Sequence, residues 1–152
     1  MLLAMATTHV RNGESMAKSL RFSASEVSSF ARLVGDENPI HHDEAAARQA
    51  RFDGVVVSGP QLSSLLMGMT ATHFSRPGPE QGARSMLGLD FRFRFRRAVL
   101  AGEAVRLSWE VVAVRPKPSL GGELVFLAGR VRNAGGEDAV KAVGKVLVRA
   151  NS

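Results

Sequence analysis

Ser58-Gly59-Pro60-Gln61-Leu62-Ser63-Ser64-Leu65-Leu66-Met67-Gly68-Met69-Thr70-Ala71-Thr72 is the stretch that decides the fold. Ser58 suits the N-cap of a helix, because its hydroxyl accepts from a backbone N–H of the first turn. Pro60 suits that turn, where the N–H it lacks would have no helical partner. Leu62, Leu65, Leu66, Met67 and Met69 then nearly encircle the helix. A helix that is apolar all round is normally buried, so this one is expected at the centre of the fold. Beyond it, Pro77, Gly78, Pro79 and Gly82 mark the stretch from His73 to Arg84 as a loop.

Two shorter helices are expected upstream. Ser23-Ala24-Ser25-Glu26 is a capping box, in which the Ser23 hydroxyl accepts from the Glu26 N–H and the Glu26 carboxylate answers the N–H of Ser23. Val27, Phe30, Ala31 and Val34 follow at i, i+3, i+4 and i+7, giving one apolar stripe that Gly35 ends. Asp43 to Ala50 forms the second, with acids in its first turn and Arg48 near its end, as the helix dipole prefers. His42 and Asp43 are read as its caps. Met1 to Ala6 is apolar without a preceding basic region, and polar Thr7, Thr8 and His9 interrupt it too early for a signal peptide. Residues 1–20 are therefore expected to be a loose tail and 21–150 a single domain.

Downstream the period changes to two. Leu87, Leu89, Phe91, Phe93 and Phe95 alternate with Gly88, Asp90, Arg92, Arg94 and Arg96, so one face of a strand is apolar and the other basic. Val105, Leu107, Trp109, Val111 and Ala113 repeat the pattern after a turn at Ala101-Gly102-Glu103. Glu123 to Arg132 and Ala139 to Arg149 supply two more strands, bounded by Gly121-Gly122 and Asn133-Ala134-Gly135-Gly136. Strands joined by short turns imply an antiparallel meander. With one buried helix, the fold class is α+β, a sheet wrapping a helix.

Composition narrows the chemistry. The 152 residues are 45% hydrophobic and 22% charged, the range of one ordinary globular domain. The absence of cysteine excludes disulfides, thiolate metal sites and thiol nucleophiles. No stretch approaches the roughly 20 apolar residues of a membrane span. A cytoplasmic protein with no membrane partner is expected. The 20 basic against 14 acidic residues leave a net charge of +6, which favours an acidic or phosphorylated partner.

The densest group of polar, special-geometry residues is Gly35-Asp36-Glu37-Asn38-Pro39-Ile40-His41-His42-Asp43. Pro39 blocks helix through this segment and biases Asn38 away from helical geometry, so Asp36 and His41 sit on a constrained loop. A carboxylate and an imidazole held there can grip one water between them, the equipment for adding water to an activated carbon or removing it. Taken alone, such residues also commonly make turns.

Phe30-Ala31-Arg32-Leu33-Val34-Gly35-Asp36-Glu37-Asn38-Pro39-Ile40-His41, with Phe52, Gly54 and Ser58-Gly59 after it, resembles the signature of the MaoC-like dehydratases, or R-specific enoyl-CoA hydratases. Ala98-Val99-Leu100-Ala101-Gly102-Glu103 is similar to a later turn of that family. The resemblance implies a single hot-dog fold, a long central helix wrapped by an antiparallel sheet. It implies that Asp36 and His41 are catalytic and hold the water that adds to a trans-2-enoyl-CoA, giving an R-3-hydroxyacyl-CoA, or that they run the reverse dehydration. It also gives the backbone N–H of Gly59 the task of polarising the thioester carbonyl. A free N–H at a helix N-terminus suits the charge that hydration pushes onto that oxygen. Asn38 and Ser58 are expected to bind substrate. No metal and no cofactor is implied beyond the coenzyme A thioester, which is the substrate. The chain departs from the family at Val57-Ser58-Gly59-Pro60, where Ala-His-Gly-Met is common, and at Met67, where some members carry a serine.

Arg92, Arg94, Arg96 and Arg97 interleave with Phe91, Phe93 and Phe95, a composition that invites a nucleic-acid reading. Alternation argues against it, because on a strand the Phe side chains point opposite to the Arg and cannot stack on a ligand lying on the basic face. No nucleic-acid partner is expected. The basic face is then a solvated or dimer-edge surface, or a contact for coenzyme A phosphates. A hot-dog thioesterase, or an inactive acyl-CoA-binding subunit acting with a partner, are the alternatives to a hydratase. By resemblance the protein is expected to be at least a homodimer.

Overall fold

Alternating burial along the second half of the chain builds a sheet with one face on the core. The computed structural model describes residues 9–76 and 83–151. Its elements run β1 (Ser15–Arg21), α1 (Ala24–Leu33), a 3-10 turn (Pro39–His41), α2 (Glu44–Gln49), α3 (Gly59–Ser75), β2 (Arg84–Phe95), β3 (Ala104–Lys117), β4 (Gly122–Arg132) and β5 (Asp138–Ala150). Among the described residues one antiparallel five-stranded sheet has the order β1-β3-β4-β5-β2. With α3 against its inner face, this is the α+β hot-dog fold.

Only β3, β4 and β5 form the expected meander. β2 pairs with β5 rather than with β3, because Arg96 to Glu103 crosses the end of the sheet with Val99 buried and Leu100 bridged to Val56. Residues 9–20 are not a loose tail: β1 pairs with β3 from Ser15 opposite Glu110 to Arg21 opposite Ala104, and Val10 is buried in the core. The half-apolar, half-polar edge strand of Met16, Leu20 and their neighbours gave too weak a periodic signal to be read as a strand. Met1 to Ala6 and the loop residues Pro77, Gly78, Pro79 and Gly82 lie outside the described residues.

The central helix buries one face rather than its circumference. Leu62, Leu66, Thr70 and Phe74, four residues apart, are buried, whereas Met67 is exposed. Trp109 seats the helix on the sheet, since its indole Nε1–H donates to the Leu66 carbonyl at 2.8 Å. The ring lies over Gly129 so closely that a Cβ there would fall 2.5–2.7 Å from three of its atoms. Phe91 meets Trp109 edge-on, with ring centroids 5.9 Å apart.

The alternation along β2 breaks at a register shift between Gly88 and Asp90. One extra residue on a strand changes which parity faces inward. Met86 packs on the core before the shift and Phe91 and Phe93 after it, while Leu87 and Leu89 are exposed. Near the start of β2, Arg84 is buried beside Glu14 of the segment leading into β1 and donates to the carbonyls of His9 and His73. Burial holds the His73 imidazole below its ordinary value, against the pull of the Glu14 carboxylate 3.6 Å away.

Gly129→Val is predicted to overpack the Trp109 seat and lower stability by about 1–3 kcal/mol. Urea unfolding should show a lower midpoint with an unchanged slope, and an unchanged midpoint would contradict this packing.

Candidate active site

The end of α1 aims Asp36. Gly35 adopts the left-handed conformation at φ 75°, which a glycine enters without steric cost. Its N–H donates to the Arg32 carbonyl at 3.1 Å and the Asp36 N–H to the Ala31 carbonyl at 2.8 Å, the double closure of a Schellman motif. Asp36 Oδ1 then accepts the Asn38 N–H at 3.0 Å, and Asn38 Oδ1 accepts from Ile40 N–H at 3.3 Å. These two side-chain bonds fold the loop into the 3-10 turn that ends at His41.

The turn brings Asp36 and His41 together as expected, with Nε2 of His41 at 3.3 Å from Oδ2 of Asp36. His41 is only 6% exposed, and its Nδ1 lies 2.6 Å from the Val56 carbonyl. A carbonyl only accepts, so Nδ1 carries the proton and Nε2 is the ring nitrogen turned to the carboxylate. Imidazole and carboxylate side by side, each with acceptor capacity, form a seat for one water molecule. The dyad therefore has the groups to take a proton from that water and to return one.

Val56 couples this dyad to α3. Its N–H donates to the Ile40 carbonyl at 2.9 Å, and the Val57 N–H donates to the Val99 carbonyl at 2.8 Å. Ser58 follows, fully buried, its Oγ accepting the Gln61 N–H at 3.3 Å. Gly59 opens the helix and, as its first residue, has no intrahelical acceptor for its N–H. Pro60 has no N–H, and that of Gln61 is taken by Ser58. The Gly59 N–H is thus the donor left to a ligand at this helix end. A Cβ on Gly59 would stand 3.0–3.3 Å from the Phe95 ring, so a larger residue there requires the exposed ring to shift.

His41, Gly59, Leu62, Phe95 and Arg97 share the lining of one cleft of about 290 Å³. Asn38 and Ser58, expected to bind substrate, are placed as backbone caps beneath it, and neither is among the residues that line it. His42 does not cap α2, where Asp43 alone accepts from Ala45 N–H at 2.9 Å. It bridges α1 to the dyad instead: its Nε2 lies 2.8 Å from the Asp36 carbonyl and its Nδ1 2.7 Å from Ser28 Oγ. Ser28, His42 and Val56 went unread as site residues, since each acts through a contact 6–15 residues away along the chain that no local pattern announces. A larger cavity of about 1420 Å³ opens between β1, α1 and α3 and contains Glu14 and His73. There the Glu14 carboxylate lies 3.3 Å from the Arg84 guanidinium and 3.6 Å from Nε2 of His73.

A sheet-wrapped helix whose first residue, Gly59, shares a cleft with His41, itself 3.3 Å from Asp36, fits a hydro-lyase of the hot-dog class. The family model described as "MaoC like domain" matches residues 7–121, and the chain belongs to the MaoC-like dehydratase family. It is 30% identical over 146 residues to the (R)-specific enoyl-CoA hydratase of Aeromonas caviae, covering 95% of this chain and 98% of the relative. It is 27% identical over 108 residues to a mitochondrial 3-hydroxyacyl-[acyl-carrier-protein] dehydratase of Arabidopsis thaliana, covering 71% of this chain and 60% of that one. Among solved structures, the (R)-hydratase from A. caviae involved in PHA biosynthesis superimposes with a TM-score of 0.77 at 30% identity, over 93% of this chain and 98% of that one. No helix among the described residues is long and apolar enough to cross a membrane.

Ser58→Ala is predicted to remove the cap that orients the first turn of α3 and to cost about 1 kcal/mol of stability. Thermal unfolding should report a lower midpoint, and a wild-type midpoint would remove Ser58 from this role.

Proposed function

We propose that the protein hydrates a trans-2-enoyl-CoA to an R-3-hydroxyacyl-CoA, or runs the reverse dehydration, as a cytoplasmic homodimer needing no metal or cofactor. The observation that carries this reading is the 3.3 Å pairing of His41 with Asp36 in a cleft shared with Gly59, whose N–H has no intrahelical acceptor. In hydration the water oxygen bonds to C3 and the C2–C3 π pair moves toward the thioester oxygen. The Gly59 N–H stabilises the charge that arrives there, a contribution of about 3–4 kcal/mol for donors of this type. One water proton leaves for Nε2 of His41, and the imidazolium so formed returns a proton to C2 as the enolate collapses, so the base is restored and atoms and charge balance. Asp36 holds the water and the imidazole in line. Dehydration is the same path reversed.

The edge of the sheet supports the homodimer reading. β2 is an edge strand of 12 residues, and Leu87, Leu89 and Phe95 on it are exposed. A long edge with exposed apolar side chains invites pairing with a second strand, and Phe95 carries that edge into the lining of the cleft.

The activity test is loss of the conjugated thioester absorbance of a short trans-2-enoyl-CoA. Wild type should hydrate it, and Asp36→Asn and His41→Gln should each fall by about 100-fold or more, with chiral analysis returning the R product. Equal rates in all three proteins would overturn the assignment. Sedimentation equilibrium should give twice the mass of the chain, and a monomer at micromolar concentration would remove the paired edge.

A further inference from the structure

Each polar group of Asp36 is tied to a neighbour, and one tie runs through a side chain to which the hydration chemistry gives no task. The Asp36 N–H donates to the Ala31 carbonyl of α1 at 2.8 Å, and Oδ1 accepts from the Asn38 N–H at 3.0 Å. Oδ2 faces Nε2 of His41 at 3.3 Å. The remaining group, the backbone carbonyl, lies 2.8 Å from Nε2 of His42. Among the described residues no other donor reaches that carbonyl.

These contacts decide where the proton of His42 sits. A carbonyl only accepts, so Nε2 of His42 is protonated and donates. In the neutral ring Nδ1 is then bare, and the Ser28 hydroxyl, 2.7 Å away, is the donor that meets it. His41 is the reverse, with its proton on Nδ1 toward the Val56 carbonyl. Two adjacent histidines thus hold protons on opposite nitrogens, because each ring answers a different backbone carbonyl.

Ser28 is a fixed point, since Val27 and Ala31 on either side of it in α1 are fully buried. Both backbone groups of Asp36 therefore return to α1, the N–H directly to Ala31 and the carbonyl through His42 to Ser28. The bond from Cα of Asp36 to its carbonyl is the torsion that relates the carboxylate to Asn38 and His41 further along the loop. The tie to His42 holds that torsion. Misplacing a reacting group by about 1 Å costs about 100-fold in rate, so a small turn here is felt in the chemistry. His42 is not among the residues that line the cleft.

We propose that His42, braced by Ser28, is a positioning residue that sets the Asp36 carboxylate against His41 and the water between them. The proposal rests on the hydratase reading for its effect on rate and adds two residues that act without touching substrate.

The test joins kinetics on a short trans-2-enoyl-CoA to nitrogen NMR of the imidazoles in the full chain. At mildly alkaline pH, wild type should show His42 protonated on Nε2 and His41 on Nδ1, and Ser28→Ala should shift the Nδ1 signal of His42. A glutamine side-chain amide reaches as far as the imidazole Nε2 and donates there, whereas that of asparagine reaches only as far as Nδ1. His42→Asn should therefore lower kcat about tenfold or more with KM within about twofold of wild type. His42→Gln should recover kcat to within about threefold of wild type. Ser28→Ala/His42→Asn should be no slower than His42→Asn alone, because both residues act through one tie. Rates are taken well below the thermal midpoint of every variant. Wild-type kcat in His42→Asn, equal losses in the Asn and Gln variants, or a His42 protonated on Nδ1 alone would each overturn the proposal and leave the hydratase reading standing. A wild type that hydrates no enoyl-CoA would overturn the hydratase reading, and the NMR would still decide whether the tie from Ser28 through His42 to Asp36 exists.

Discussion

The hydrogen bond between Nδ1 of His41 and the Val56 carbonyl, 2.6 Å long, is the constraint on which the site depends. It keeps the proton on Nδ1 and turns Nε2 to Asp36. It also joins two segments that sequence separates. One is the loop descending from α1, and the other is the extended segment that enters α3. Because Val56 and Val57 are bonded in turn to Ile40 and Val99, the imidazole and the Gly59 N–H are held by one backbone frame. Preorganised donors and bases act without reorganising during the reaction, which is where their energetic advantage lies.

Much of this was legible in the sequence because the determinants are local. The Ser23 cap is present, with Glu26 N–H on Ser23 Oγ at 3.1 Å, although the Glu26 carboxylate takes the Ser23 hydroxyl rather than its N–H. Ser58, Gly59 and Pro60 open α3 as their chemistry requires. Gly35 ends α1 as expected, and does so at a positive φ. The Asp36 and His41 spacing encodes a turn, and turns are built from neighbours.

What was not legible is nonlocal. Period two along β2 predicted one apolar face, but the shift near Gly88 exchanges the parity and exposes Leu87 and Leu89. β1 was missed because its pairing with β3, not its own pattern, makes it a strand. The apolar girdle of α3 was read as complete burial, yet Met67 lies open on the described chain. Ser28 and His42 joined the site only through folding, since a serine in mid-helix gives no sign that it will brace an imidazole.

Two cavities offer themselves to a thioester, and the smaller is the one that His41 and Gly59 line. The direct measurement is a crystal structure of the Asp36→Asn variant with an unreactive enoyl-CoA thioether or amide analogue. The account predicts the acyl carbonyl oxygen, or the analogue atom in its place, at about 2.7–3.1 Å from the Gly59 nitrogen, with C3 facing His41 Nε2. An acyl group seated instead between β1 and α3, beside Glu14 and His73, would contradict it.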